Sequence, residues 1–327
     1  MSERIWISWT RQRRNKGVAS GIGAPLYEIS YEKYKFLRYV LSIFNTVWVL
    51  VKERPKICCA MVPSIFCATL LVLLKGFFRY KLIIDLHTLN IYYLLGEGKK
   101  RMIYDRLLKY CLDEADLIIV TNGYYAREIG QPFPKMFSLP DRIPEDFGKD
   151  RVKENSWNGN RVLCICSYDP DEPYEELFTV ATNMSDIDFF FSGNFHIVEK
   201  SGKKLPAQSH IHFTGFLAAD KYEELLCRAN VILVATKLEG CLCCGAYEAL
   251  AVGKPLVLSS TQALREYFGE GPIYTGESPK DIEKAIRQAL LNQEEITNLV
   301  QKRAQELKED WELKIGSLNA LLRKMVC

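Results

Sequence analysis

The 327-residue chain is 48% apolar and 25% charged, which is enough to bury a large core and more chain than one domain usually holds, so two domains are expected. Its eleven cysteines are irregularly placed and follow no secretory leader, which excludes a disulfide scaffold and points to reduced thiols in the cytoplasm. The net charge of +3 hides an asymmetry, since residues 1–109 hold 19 Lys and Arg against 7 Asp and Glu; an anionic partner belongs on that side, and no module signature makes it nucleic acid.

The first apolar run, residues 4–8, is strand-length and too short for the core of a signal peptide. A basic loop, 11-RQRRNK-16, follows it. Further strands are expected at 26–29, 57–62, 81–85, 117–121 and 136–139, with helices between them at 34–52, ended by Pro55, at 64–77 and at 99–115. The most apolar stretch, 60–78, is interrupted by Pro63 and Lys75, leaving roughly 11 residues where a membrane span needs about 20. It is read as a helix buried against a sheet.

Around 140-PDRIPEDFGKDRVKENSWNGN-160 the periodicity gives way to Pro, Gly, Asn and charge, the signature of a linker. The domains are therefore drawn at 1–148 and 149–309. A second series has strands at 161–166, 187–192, 210–214, 231–235 and 255–259 and helices at 174–183, 218–229, 245–252 and 279–291. The last helix, 294–327, is expected to break near Asp310 and Trp311. Alternation of strand and helix predicts an α/β fold of two Rossmann-like, doubly wound domains facing each other across a cleft, with ligand loops at the carboxyl ends of the strands.

The stretch 233-LVATKLEGCLCCGAYEALAVGKPLVLS-259 carries the most chemistry. A buried strand leads through Glu239 and Gly240 to a helix that starts near Cys243 to Gly245, and a helix N-terminus offers unpaired N–H groups and a positive dipole end to a diphosphate. Glu248, in the first turns of that helix, is placed to accept from vicinal ribose hydroxyls. Cys241 and Cys244 spell Cys-x-x-Cys at the helix start. No second pair stands at ligand spacing, so zinc and redox roles are set aside, and Cys164 and Cys166 are read as small buried strand residues.

The run EGCLCCGAYEALAVGKPLVLS followed by ALREYF resembles the donor motif of retaining GT-B glycosyltransferases of family 4 (glycosyl transferases group 1). In that family two glutamates flank seven residues; here eight separate Glu239 from Glu248. The resemblance implies that Glu239 meets hydroxyls of the donor sugar and Glu248 holds the ribose, with Gly240, Cys241, Cys244 and Gly245 lining the nucleotide sugar. FSGN (Ser192, Gly193, Asn194) and FTGF (Thr214, Gly215) match loops that line the nucleotide. RVLCICSYDPDEPYEEL resembles the first strand and loop of the donor domain but lacks the family's Arg and Lys, so phosphate neutralisation is assigned to Arg11 and Arg13 or to backbone amides. WTRQRRNKGVASGIGAPLYEIS, KLIIDLHTLN and ADLIIVTN resemble a bacterial and archaeal subgroup. There Asp85 and His87 fall where the family has a His or Asp in the cleft, in contact with the donor sugar or the acceptor.

What the resemblance implies is transfer of a hexose-type sugar from a nucleotide diphosphate donor to a glycan or lipid-linked acceptor, with retention by front-face attack. No metal or other cofactor is expected, and no clustered Asp-x-Asp metal loop is read in the chain. Residues 310–327 are expected to cross back to the first domain. The aromatic and basic mixture 31-YEKYKFLRYVLSIF-44, with Phe77, Phe78, Arg79 and Tyr80, suits an anionic membrane surface as well as a core. Two rivals remain open: a sugar-nucleotide epimerase on the same scaffold, and a silent scaffold subunit that binds a partner or a membrane.

Overall fold

The computed structural model describes residues 2–31, 37–62, 64–87, 96–130, 135–145, 147 and 159–326. The start of the helix expected at 34, the tail of KLIIDLHTLN and most of the expected linker lie outside them. The chain divides into two compact units, residues 1–142 with 310–327, and residues 143–309. The sequence had placed that division at 148.

In the first unit β1 (Arg4–Ser8), β2 (Leu26–Glu28), β3 (Ile57–Val62), β4 (Lys81–Leu86), β5 (Leu117–Val120) and β6 (Met136–Ser138) form one sheet in the order β2-β1-β3-β4-β5-β6, with every pairing parallel. All six side chains of β3, Ile-Cys-Cys-Ala-Met-Val, are buried, as a strand covered on both faces requires. Alternate residues face two separate cores. Ile5, Ile7, Cys58, Ala60, Leu82 and Ile84 pack under α2 (Leu37–Glu53), α3 (Ile65–Phe78) and α4 (Lys99–Glu114). Trp6, Cys59, Met61, Ile83 and Ile119 pack on the other face under α1 (Arg13–Gly21).

That second face is completed by the end of the chain. Trp311, Ile315, Leu318 and Leu322 join its core, Trp311 Nε1 donates to Pro140 O at 3.2 Å, and Asn319 Nδ2 donates to Gly21 O at 2.9 Å. Gly21 permits the approach, because a Cβ there would lie 2.7 Å from the Trp311 ring. The unit also holds α5 (Gly123–Gly130).

In the second unit β7 (Arg161–Cys164), β8 (Asp188–Ser192), β9 (Ile211–Gly215), β10 (Val231–Val234), β11 (Leu256–Ser259) and β12 (Ile273–Thr275) run parallel in the order β12-β11-β10-β7-β8-β9. Its helices are α6 (Tyr174–Asn183), α7 (His196–Lys200), α8 (Ala219–Arg228), α9 (Cys244–Val252), α10 (Gln262–Phe268), α11 (Pro279–Leu291) and the start of α12 (Gln293–Lys324). α12 runs through Asp310 and Trp311 without the expected break. No Pro stands in it, its residues are mostly strong helix formers, and Lys314 pairs with Asp310 one turn back at 2.6 Å.

Candidate functional site

The order of the second sheet identifies where a ligand belongs. The chain moves outward from β7 through β8 to β9 and then returns to the other side of β7 to lay down β10. The reversal opens a crevice at the carboxyl ends of β7 and β10, the usual ligand position in open α/β sheets. Asp171, in the loop after β7, ties that loop to the one after β10: its Oδ2 accepts from Thr236 Oγ1 at 2.8 Å, and its carbonyl accepts from Lys237 N at 2.7 Å.

The residues expected from the donor motif are held around this crevice. Glu239 is exposed at a turn, and its Oε2 accepts from the backbone N–H of Gln262 at 2.7 Å, at the start of α10. Gly240 completes the turn and Cys241 N donates to Leu238 O at 3.3 Å. α9 begins at Cys244 with Cys243 as a cap that supplies no side-chain acceptor, so N–H groups of its first turn depend on partners from outside the helix. Gly245 is buried; a Cβ there would meet Ile165 and Val234 at 3.0–3.1 Å, so this position also brings the helix close to the sheet. Glu248 is 8% exposed, and its Oε2 accepts the phenol of Tyr222 from α8.

The Cys243 thiol is held well above the usual thiol range by its hydrogen bond with Cys241 and by burial. The ten described cysteines are free thiols.

At the ends of β8 and β9 the backbone is shaped by close approach. Gly193 has φ +85°, and a Cβ there would sit 1.9 Å from the carbonyl oxygen of Cys166. Ser192 Oγ lies between the Cys166 N–H at 3.4 Å and the Cys164 carbonyl at 3.5 Å. Asn194 is half-buried beyond it and accepts from Ile197 N through its carbonyl at 3.1 Å. Thr214 Oγ1 donates to Phe191 O at 3.3 Å, beside a register shift between β8 and β9, and Gly215 takes φ +65°.

The loop after β7 holds a feature that motif reading missed. Tyr168 is left-handed at φ +63°, which turns successive N–H groups to one side as an anion-binding nest. The carboxylate of Glu172 fills it, accepting from Ser167 N at 2.9 and 3.0 Å, Ser167 Oγ at 2.8 Å and Tyr168 N at 2.8 Å. Burial raises the Glu172 carboxyl to about 7 against the pull of these hydrogen bonds. Asp169 and Asp171 have an Asp-x-Asp spacing that the sequence reading did not recognise. Asp171 is 6% exposed, its Oδ1 is buried without a hydrogen-bond partner among the described residues, and burial raises its carboxyl.

The first unit has its own reversal between β1 and β3. Residues 11–16 are not wholly a loop there: α1 starts at Arg13. Arg11 and Arg13 are exposed, whereas Arg14 is 4% exposed. Arg14 Nε and Nη2 donate to the two oxygens of Asp85 at 2.8 and 2.7 Å, Nη1 donates to Asp141 at 2.6 Å, and Nη2 also donates to Leu139 O at 3.0 Å. Burial opposes its charge, but Asp85 and Asp141 overcome that and hold the guanidinium firmly protonated.

Asp85 is fully buried with both oxygens engaged. It is a counter-ion for Arg14. His87, two residues on, has a buried Nδ1 with no partner among the described residues and lies within 4.8 Å of the Asp141 carboxylate. Burial lowers its imidazole first; Asp141 and Asp85 act to raise it and Arg14 to lower it further. Arg14 and Asp141 went unrecognised because their partners are far off in sequence. The signal was a polar helix whose one inward face, Arg14, Asn15, Val18 and Ala19, includes a charge.

Comparison with known proteins follows the same division. Residues 149–306 match the family model described as glycosyl transferases group 1. No curated protein sequence matches the chain. Among solved structures, sucrose-phosphate synthase from Thermosynechococcus elongatus superposes with a TM-score of 0.72 at 16% identity, covering 92% of this chain and 84% of its own. HepE from Anabaena, solved in complex with UDP-glucose, gives 0.68 at 12%, covering 98% and 99%. WaaG, a glycosyltransferase involved in lipopolysaccharide biosynthesis, gives 0.62 at 13%, covering 97% and 99%. At identities this low the superpositions show the fold alone, which is GT-B.

Proposed function

We propose that this chain, a GT-B glycosyltransferase whose second unit is a glycosyl transferases group 1 domain, moves a hexose-type sugar from a nucleotide diphosphate donor to a glycan or lipid-linked acceptor. The observation that carries the donor half is the β7–β10 crevice, where the start of α9, Glu239 and Glu248 stand at one sheet reversal. Backbone donors at a helix start stabilise a departing diphosphate without a metal, and front-face attack with retention asks the protein for little else. The fold shared with the UDP-glucose complex of HepE supports a nucleotide-sugar donor.

In this scheme Glu248, fixed by Tyr222, holds the ribose, and Glu239 orients the sugar. Ser192, Gly193, Asn194, Thr214 and Gly215 line the nucleotide. Arg11 and Arg13, next to the start of α1, supply positive charge for phosphate, and His87 gives a neutral polar contact to sugar or acceptor. Asp85 acts through Arg14 as a positioning residue.

The acceptor half is a proposal drawn from the surface of the first unit. Adjacent helices α2 and α3 expose Phe44 at 69%, Trp48 at 57%, Leu73 at 66% and Phe77 at 80%, and exposed Arg38, Lys52 and Arg79 stand on or beside them, with Lys99 and Lys100 at the start of α4, which packs on α3. Aromatic and aliphatic groups mixed with cations suit the interface of an anionic bilayer, where lipid-linked acceptors reside. Among the described residues no helix is long and apolar enough to cross a membrane, so the proposed contact is peripheral, on the cytoplasmic face.

Glu239→Ala tests the donor site. Transfer is expected to be abolished with the fold retained by circular dichroism; unchanged turnover removes Glu239 from the site.

A further inference from the structure

We infer that Glu172 is the resident occupant of the backbone nest that receives the donor's diphosphate, and that it swings out or loses its charge when the diphosphate binds. The inference rests on the nucleotide-sugar reading above and adds to it a residue that governs donor affinity.

Its place comes first. The nest lies at the carboxyl end of β7, beside β10, at the sheet reversal where a ligand is expected. Its donors are the N–H groups of Ser167 and Tyr168 and the Ser167 hydroxyl, the complement that an oxyanion wants. A carboxylate has already taken them, so the loop binds an anion now.

Charge then decides the rest. The loop from Ile165 to Pro173 contains no Lys or Arg. Lys237, from the loop after β10, is tied to Glu176 at 3.3 Å. The titratable groups that act on or respond to Glu172 are Asp171, the Tyr168 phenol and the thiols of Cys166 and Cys243. Each is an acid, and none offers a compensating positive charge. A diphosphate brought to this nest would share it with a carboxylate, and none of these neighbours screens the two. The same three donors cannot serve both.

Two routes relieve the conflict, and both remove negative charge from the nest. Glu172 is half-buried at the crevice, so its side chain can rotate outward. Its carboxyl, raised by burial to about 7, can also take a proton near neutral pH, linking donor binding to proton uptake.

Calorimetric titration of pyrophosphate, and separately of UDP, into the full chain at pH 6 and pH 8 tests this with wild type and Glu172→Gln, each checked by a thermal melt. If binding needs an uncharged Glu172 with a carboxyl near 7, the wild type weakens about tenfold over that interval beyond any change in the variant. At pH 8 Glu172→Gln then binds about tenfold more tightly than the wild type, and Glu172→Ala, which removes the carboxylate without adding an amide, shows the same direction. Equal affinities with equal pH slopes, or weaker binding by the variants, overturn the role of Glu172 and leave the donor reading standing. Binding of neither ligand to any of the proteins at either pH overturns both.

Discussion

Arg14→Met is the substitution for which the structure gives the sharpest expectation. Asp85 has no exposed surface and loses hydrogen bonds of 2.8 and 2.7 Å; Asp141 loses one of 2.6 Å. Removing one partner of a buried ion pair strands the other charge at a cost of about 3–5 kcal/mol, which for a unit of this size lowers its melting temperature by on the order of 10 °C. Four of the five tryptophans, Trp6, Trp9, Trp48 and Trp311, lie in the first unit, so melting followed by tryptophan emission reports mainly on it. Arg14→Met with Asp85→Asn removes the stranded charge as well and is expected to recover part of the loss.

The same variant has a second readout at His87. In the wild type the folded imidazole is lowered from 6.5, so the folded state binds fewer protons than the unfolded one. The stability this group contributes is therefore complete above about 6.5 and is lost as pH falls below it. Without Arg14, Asp141 and Asp85 act on the ring uncompensated, and its titration moves upward. Only four histidines are present, His87, His196, His210 and His212, so their ring signals are separable by NMR. A melting temperature within about 2 °C of wild type, or an unmoved His87 titration, refutes the account of this network.

Other expectations follow from close approaches and surfaces. Gly193→Ala would set a Cβ 1.9 Å from a backbone oxygen at a left-handed φ, and a loss of about 3 kcal/mol or more in chemical denaturation is expected; a neutral result means that the β7 and β8 loops part easily. Gly21→Ala drives a Cβ to 2.7 Å from Trp311 and is expected to cost about 1–3 kcal/mol, read as earlier melting of the first unit. Phe44→Glu with Trp48→Glu is expected to abolish co-sedimentation with anionic vesicles, and wild-type binding is expected to fall with salt. No wild-type binding at low salt ends the membrane proposal.

Much of the fold was legible because its central strands are short runs of buried apolar residues set between turns; β3, β4, β7, β10 and β11 all fall within two residues of their expected bounds. What escaped notice had weaker local signals. α1, RRNKGVASG, is polar with two glycines and owes its inward face to an ion pair 71 residues away. β12 has only three residues at a sheet edge, and α10 only seven. α12 was expected to break because of its length, yet it alternates between faces without a residue that stops a helix.

In the candidate site, the spacing of Glu239 and Glu248 on either side of a helix start could be read directly. The missing basic pair in the Ser167 loop was also visible. That a carboxylate fills the resulting nest was not, because the capture depends on the left-handed Tyr168 and not on any spacing pattern. Asp85 could be read as a polar group at a strand end, but its pairing with Arg14, 71 residues away, could not.

The central claim, a nucleotide-sugar donor bound by the second unit, is tested most directly by incubating the full chain with UDP-, GDP- and ADP-hexoses and a lipid extract and following release of the nucleoside diphosphate. The account predicts release from one of these donors, with the sugar appearing on an acceptor, and loss of both in Glu239→Ala. Release from none, or conversion of the donor to an altered free nucleotide sugar with no acceptor present, contradicts it.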